Sequence, residues 1–296
     1  MRLARFKDER GEGLVILSQD GRARGLRVHD GGFPGDLATI LARGDGALKT
    51  AAERLRSSPE IDLARCDYLP PIANPGKIIC IGLNYADHSA ESGYAVPDYP
   101  TFFGRFTSSL IGHGAPIVRP VVSEQLDFEG ELAAIIGRGG RNISREDALS
   151  HVAGYSPFND GSIRDYQHRT PQWTAGKNFD ETGAFGPLFV SADELPPGCR
   201  GLRLTTRLNG NVVQQASIDD LIFDVATLVS LLSEVCTLQP GDVIVTGTPA
   251  GIGAARKPPL WMKPGDVCEV DIEGVGLLVN PIADQRALGG QPGTRS

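Results

Sequence analysis

The sequence predicts a mixed, β-rich α+β fold, and three observations carry that expectation. Glycine and proline are frequent, 37 and 21 of 296 residues, which suits short strands joined by tight turns better than long helices. After Gly76, short β-branched runs bounded by Gly or Pro recur: KIICIG, APIVRP, ELAAIIG, HVAGYSPFND, LRLTTRLNG, DVIVTGTP, DVCEVDIEG and GLLVN. Only two stretches there read as helices, REDALSHV and the region 218 to 235, where Leu221, Val225, Leu228 and Leu232 fall at three- and four-residue spacing. Strands at short, irregular intervals with so few helices argue against repeated β-α-β units.

Ahead of these runs, residues 1–72 read as a small N-terminal α/β module. It holds an apolar strand from Gly13 to Ser18, a turn at Asp20-Gly21, a second strand, and a helical stretch around Leu37 to Leu55. The Pro-rich cluster from Leu69 to Gly76 marks its edge. Residues 73–286 form the main, catalytic domain, and the polar, Gly-rich tail 287–296 is expected to be disordered.

Composition removes several function classes. A net charge of -7 with scattered Lys and Arg offers no surface for phosphate backbones, so nucleic acid is not an expected partner. The five cysteines are single, with no C-x-x-C pair, which points to a reducing compartment without a disulfide framework. Charges occupy the N-terminus where a signal peptide is apolar, and no uncharged run approaches a membrane span of ~18 residues. The expectation is a cytoplasmic protein with no membrane association.

Four segments carry residues suited to chemistry. In LDFEGELAAIIGR, Glu129 and Glu131 alternate in an apparent strand and so share a face. Two carboxylates there repel unless a cation lies between them, and hard oxygen donors suit Mg²⁺, Mn²⁺ or Ca²⁺. Taken alone, such a pair more often marks a solvated strand face; the apolar run directly after it argues for a strand entering the core. Asp160, at the end of the strand in GYSPFNDGSIRDYQ, is placed to add a third carboxylate, although Asn-Asp-Gly also fits a plain turn with a helix cap.

Lys177 sits in WTAGKNFDETGAFGP, a segment too punctuated by glycine and proline for a regular helix; facing the carboxylates, it would stabilise an oxyanion, and otherwise it is a surface lysine. His88 and Glu91 are three residues apart, a spacing that suits a base and its orienter as well as an idle surface pair. The other histidines, His168 among them, show no metal-type spacing. DVIVTGTPAGIG lacks the ending of a phosphate loop, but Thr248 and the turn amides after it suit a substrate carboxylate.

Taken in order, IGLNYADH, LDFEGELAAIIGR, GYSPFNDGSIRDYQ, GKNFD and TGTPAG resemble the fumarylacetoacetate hydrolase superfamily, in particular its bacterial acylpyruvase-type members. The likeness runs from about Pro75 to Ile282, and residues 1 to 70 resemble the variable leading module of many members. It implies a β-sandwich roll packed as a homodimer, with Mg²⁺ (or Mn²⁺ or Ca²⁺) held by Glu129, Glu131 and Asp160. It makes Lys177 the active-site lysine and His88 with Glu91 the water-activating pair. Thr248 would contact the substrate carboxylate, Arg164 and Gln167 would support or contact substrate, and Tyr85 to Tyr94 would form a lid. Where many members read P-x-F-x-K-P, PTFFGRF places Arg105 near the expected lysine, so Arg105 is expected to bind the distal end of the substrate. The implied activity is hydrolysis of a carbon–carbon bond in a small 2,4-dioxo acid. Decarboxylation, hydration or keto–enol isomerisation of an oxo acid are its alternatives on the same scaffold, and a non-catalytic oxo-acid-binding protein is the alternative of another class.

Overall fold

A computed structural model describes residues 1–285 apart from Gln19, Ser92, Tyr94 and Val96. The tail 287–296 lies outside the described residues. A 12-stranded mixed sheet follows the order Ala23–Arg27, Gly11–Leu17, Arg2–Asp8, Phe189–Ser191, Val152–Asp160, Gly130–Ile136, Val243–Val245, Ile78–Gly82 and Thr101–Gly104, with three short strands at its margins. Most pairs are antiparallel, but Val243–Val245 runs parallel to Ile78–Gly82. A second sheet of five strands joins Asn211–Ser217, Arg203–Leu208, Val267–Ile272, Gly276–Asp284 and Ile117–Arg119.

Strand Gly130–Ile136 shows why its sequence is an unbroken apolar run: every residue is buried, because both of its faces are covered. Leu132, Ala134 and Ile136 pack toward the second sheet, among Leu204, Val270 and Leu232. Ala133 and Ile135 pack the other way, with Phe158, Val245 and the helical residues Ile40 and Leu55. Truncating Ile135 to Ala would open a cavity costing about 2–5 kcal/mol.

The N-terminal strands continue the main sheet, since Arg2–Asp8 pairs with Phe189–Ser191, and the two helices behind them cover its face. Residues 1–72 therefore share a core with the larger domain. The helical stretch expected at 37 to 55 divides into Leu37–Ala42 and Ala47–Arg56, broken where Gly44 and Gly46 take φ of 83° and 82°. The helix expected from residue 218 begins only at Val225. Asp224 caps it, accepting the Thr227 N–H at 2.9 Å, and a separate 3₁₀ turn covers Ile218–Asp220. REDALSHV yields only the 3₁₀ turn Ala148–His151. The expected strands all form. All five cysteines are free, and no described helix is long and apolar enough to cross a membrane.

Candidate active site

The site begins with strand register. Gly130 lies opposite Asn159, so Glu129 and Asp160 face each other at the end of the ladder, where the Asp160 N–H donates to the Glu129 carbonyl at 2.9 Å. Glu131, two residues on, shares that face. The three carboxylates are buried, with one oxygen of each within 4.8 Å of the others. Glycine lets the strand pass close to the second sheet at 130, where a Cβ would stand 2.0 Å from Thr206 Oγ1 and force that side chain to move.

Three buried carboxylates this close repel. Burial, then Asp160 and Glu129, push the Glu131 carboxyl well above its usual range, although the Gly247 N–H donates to it at 2.5 Å. Burial works in the same direction on Glu129, but Lys177, Arg164 and His88 outweigh it and hold that group at about 2. Lys177 is buried on the single turn Thr174–Lys177, and its Nζ donates to Glu129 Oε2 and Asp160 Oδ2, both at 2.6 Å. Gly176 makes that turn possible: a Cβ would meet the Gln167 backbone nitrogen at 2.3 Å. The donor set, three anionic oxygens with one group driven to protonate by its neighbours, fits a hard divalent cation, whose charge would remove the repulsion.

Arg164 braces this cluster. Its Nε donates to Asp127 Oδ2 at 2.8 Å, and its Nη1 reaches Glu129 Oε1 at 2.7 Å and Gln167 Oε1 at 2.9 Å. Its Nη2 is buried with no partner among the described residues. Asp127, fully buried, also accepts the Gly253 and Ala254 N–H groups at 2.8 and 2.9 Å. Sequence reasoning passed over Asp127, which reads there as one more strand residue.

Arg105 corrects an expectation. It does not line the cleft and cannot meet a substrate's distal end. It is buried, pairs with Asp160, and donates to the Gly161 carbonyl at 3.1 Å and to Thr182 Oγ1 at 2.9 Å. Tyr85 is a second correction. It is buried in the core shared by the two sheets, bridged to Leu221, with its hydroxyl unpartnered, and it is not among the residues facing the cleft.

His88 and Glu91 do lie on one helix, Ala86–Glu91, with His88 Nδ1 3.0 Å from Glu91 Oε1. Glu91 is itself fixed by the Gly251 N–H, at 2.9 and 3.0 Å from its two oxygens. Of the expected lid, Ser92 and Tyr94 lie outside the described residues. Thr248 faces the cleft, but its hydroxyl already donates to the Gly130 carbonyl at 3.0 Å and accepts from Gln214 at 2.8 Å. On either side of it, the Gly247, Gly251 and Gly253 amides donate to the protein's own carboxylates, Glu131, Glu91 and Asp127.

Glu129, Glu131, Arg164, Gln167, Lys177, Thr248 and the His88–Glu91 pair line one cleft of about 260 Å³. Sequence reasoning missed part of its wall. Phe103 and Trp173 meet edge to face at 5.6 Å, and the Trp173 ring lies so close to Gly82 that a Cβ there would be 2.3 Å from it. His168 also borders the cleft; burial, then Arg164 and Lys177, lower its pKa, favouring the neutral ring.

Buried carboxylates at the end of a strand pair, a lysine between them and a His–Glu pair in the same cleft define a class: proteins with an acidic cation site and a base beside it. The fumarylacetoacetate (FAA) hydrolase C-terminal signature matches residues 77–283, and the chain belongs to this family. It is 39% identical over 289 residues to a mitochondrial oxaloacetate tautomerase of Xenopus laevis, covering 95% of this chain and 90% of that one. Among solved structures it resembles fumarylacetoacetate hydrolase of Exiguobacterium antarcticum, with a TM-score of 0.83, 35% identity, and 96% of this chain and 100% of that chain covered. It also resembles maleylpyruvate hydrolase of Sphingobium sp. SYK-6, in complex with a manganese(II) ion and pyruvate, with a TM-score of 0.79, 29% identity, and 96% and 99% covered.

Proposed function

We propose that this chain is a divalent-metal-dependent keto–enol tautomerase of a small oxo acid, with oxaloacetate as substrate. The observation that carries the reading is the Glu129, Glu131 and Asp160 cluster, whose two glutamates line a small cleft with His88, whose Nε2 has no hydrogen bond to the described residues. Full-length similarity to proteins named oxaloacetate tautomerases favours this reaction over others on the scaffold.

Mg²⁺ or Mn²⁺ held by the three carboxylates would supply Lewis-acid polarisation of the substrate's carbonyl oxygen. The residues supply the rest. Arg164 Nη2, a buried donor with no protein partner among the described residues, takes the substrate carboxylate. His88 Nε2 removes a proton from the carbon next to the carbonyl and returns it at the oxygen, completing the shift from keto to enol; ketonisation is the reverse. Glu91, holding Nδ1–H, fixes the tautomer and stabilises the imidazolium formed in between. Lys177 keeps positive charge beside the site of developing negative charge.

A second reading is hydrolysis of a 2,4-dioxo acid, and the same His–Glu pair favours it, because a base with a fixed tautomer can activate water. One experiment separates the two. Mg²⁺-loaded protein given enol-oxaloacetate should speed the decay of its ultraviolet absorbance, while chromatography detects no pyruvate released from acylpyruvates. Pyruvate release without faster ketonisation would replace tautomerase by hydrolase.

A further inference from the structure

The polar groups of the cleft can be followed one by one to the atoms that hold them. Glu91 is engaged by His88 and Gly251, Thr248 by Gly130 and Gln214, and Lys177 by Glu129 and Asp160. The Gln167 carbonyl oxygen is held by Arg164. What remains open among the described residues is Arg164 Nη2, the amide nitrogen of Gln167, Nε2 of His88, and the whole ring of His168.

The proposed reaction uses these open groups unevenly. Arg164 and its neighbour Gln167 stand beside Glu129, where the oxo-acid end of the substrate binds, and His88 moves the proton. His168 borders the same cleft from the C-terminal cap of the short helix Arg164–Gln167, and is exposed where those two are buried. The rest of the cleft wall at hand for a substrate's far end is apolar: Phe103, Trp173, Ile252 and Ala254. Among the described residues, His168 offers the polar group not already assigned to the reacting end. An imidazole N–H is a good donor to a carboxylate, and Arg164 and Lys177 nearby make the region favourable to negative charge.

We infer that His168 is the specificity-determining residue for substrate class, hydrogen-bonding the distal carboxylate of a dicarboxylic oxo acid. This rests on the proposed tautomerase reading and extends it. Monocarboxylic oxo acids with an apolar tail reach only the aromatic wall and gain nothing from His168.

The test compares oxaloacetate with acetylpyruvate, which presents a methyl ketone where oxaloacetate has a carboxylate, in Mg²⁺-loaded wild type, His168→Leu and His168→Gln. His168→Leu should lower kcat/KM for oxaloacetate by about tenfold or more, through KM, the scale of a lost hydrogen bond to a charged group. It should cost acetylpyruvate, whose neutral ketone accepts only a weaker hydrogen bond, severalfold less, and His168→Gln, which keeps an N–H donor, should restore most of the loss. Equal effects on both substrates, or none on oxaloacetate, would overturn the inference. If the wild type turns over neither, the tautomerase reading fails, and calorimetry on Mn²⁺-loaded protein still decides the role of His168. In the wild type 2-oxoglutarate should bind more tightly than 2-oxobutyrate, and His168→Leu should erase that preference; a preference that is absent or survives the substitution overturns it.

Discussion

At the inner end of the cleft, Glu129 and Glu131 stand against Arg164 and Lys177, with Asp127, Asp160 and Arg105 packed behind them, and all seven side chains are buried. At its outer end, His88 and His168 keep ring nitrogens with no partner among the described residues, and His168 is exposed. The inner end is built to hold charge. A bound divalent cation would let all four carboxylates ionise; against three side-chain cations and the ion, their four negative charges leave this end net positive, matched to an anionic oxo acid. The outer end is built to exchange protons and hydrogen bonds with whatever enters. Binding strength and chemical choice are thus assigned to different residues, and that division can be broken experimentally.

The largest effect should come from the inner end. Glu131→Gln or Asp160→Asn should abolish turnover and weaken Mn²⁺ binding by more than about 100-fold, beyond what outer-sphere partners of metal ligands cost; calorimetry on chelator-treated protein reads it. Unchanged affinity would place the cation elsewhere. His88→Ala should lower kcat by about 10²–10⁴-fold with Mn²⁺ affinity intact, a separation that shows the two ends to be independent. A smaller loss is expected for Arg164→Lys, which keeps the charge but not the planar fork: KM should rise about tenfold with a lesser change in kcat, read from saturation curves.

The smallest effect lies away from the cleft and calibrates the rest. Asp8 in the N-terminal strand pairs with Arg27, which holds its carboxyl at about 2 instead of the ordinary 3.8. A depressed pKa contributes stability above the unfolded value that is lost as pH falls through the folded one. Asp8→Asn should therefore be less stable than wild type at neutral pH, and the difference should vanish between pH 3.8 and about 2 in urea unfolding.

Much of this was legible in the sequence where the signal was local. The Glu129–Glu131 alternation, the three-residue spacing of His88 and Glu91, and the apolar run that buries strand Gly130–Ile136 each follow from the period of one element. What depends on partners distant in sequence was not legible. Only the Gly130–Asn159 register shows Asp160 to lie across from Glu129. The side chain of Arg105 turns to Asp160 because a buried carboxylate needs a counter-charge, and no local pattern reveals which end of a cleft that carboxylate occupies. The loop after Thr248 does gather carboxylates, as its amides suggest, but those of Glu91 and Asp127 belong to the protein itself. Asp127, Trp173 and His168 carried no spacing signal, since each matters through a neighbour brought in by the fold.

The most direct test of the central claim is a paramagnetic resonance titration of chelator-treated protein with Mn²⁺, repeated with oxalate present. If the three carboxylates form the cation site, free Mn²⁺ signal should be quenched up to one equivalent per chain, and oxalate should perturb the bound-ion spectrum in the wild type but not in Glu129→Gln. A folded wild-type protein that leaves the Mn²⁺ signal unquenched would contradict it.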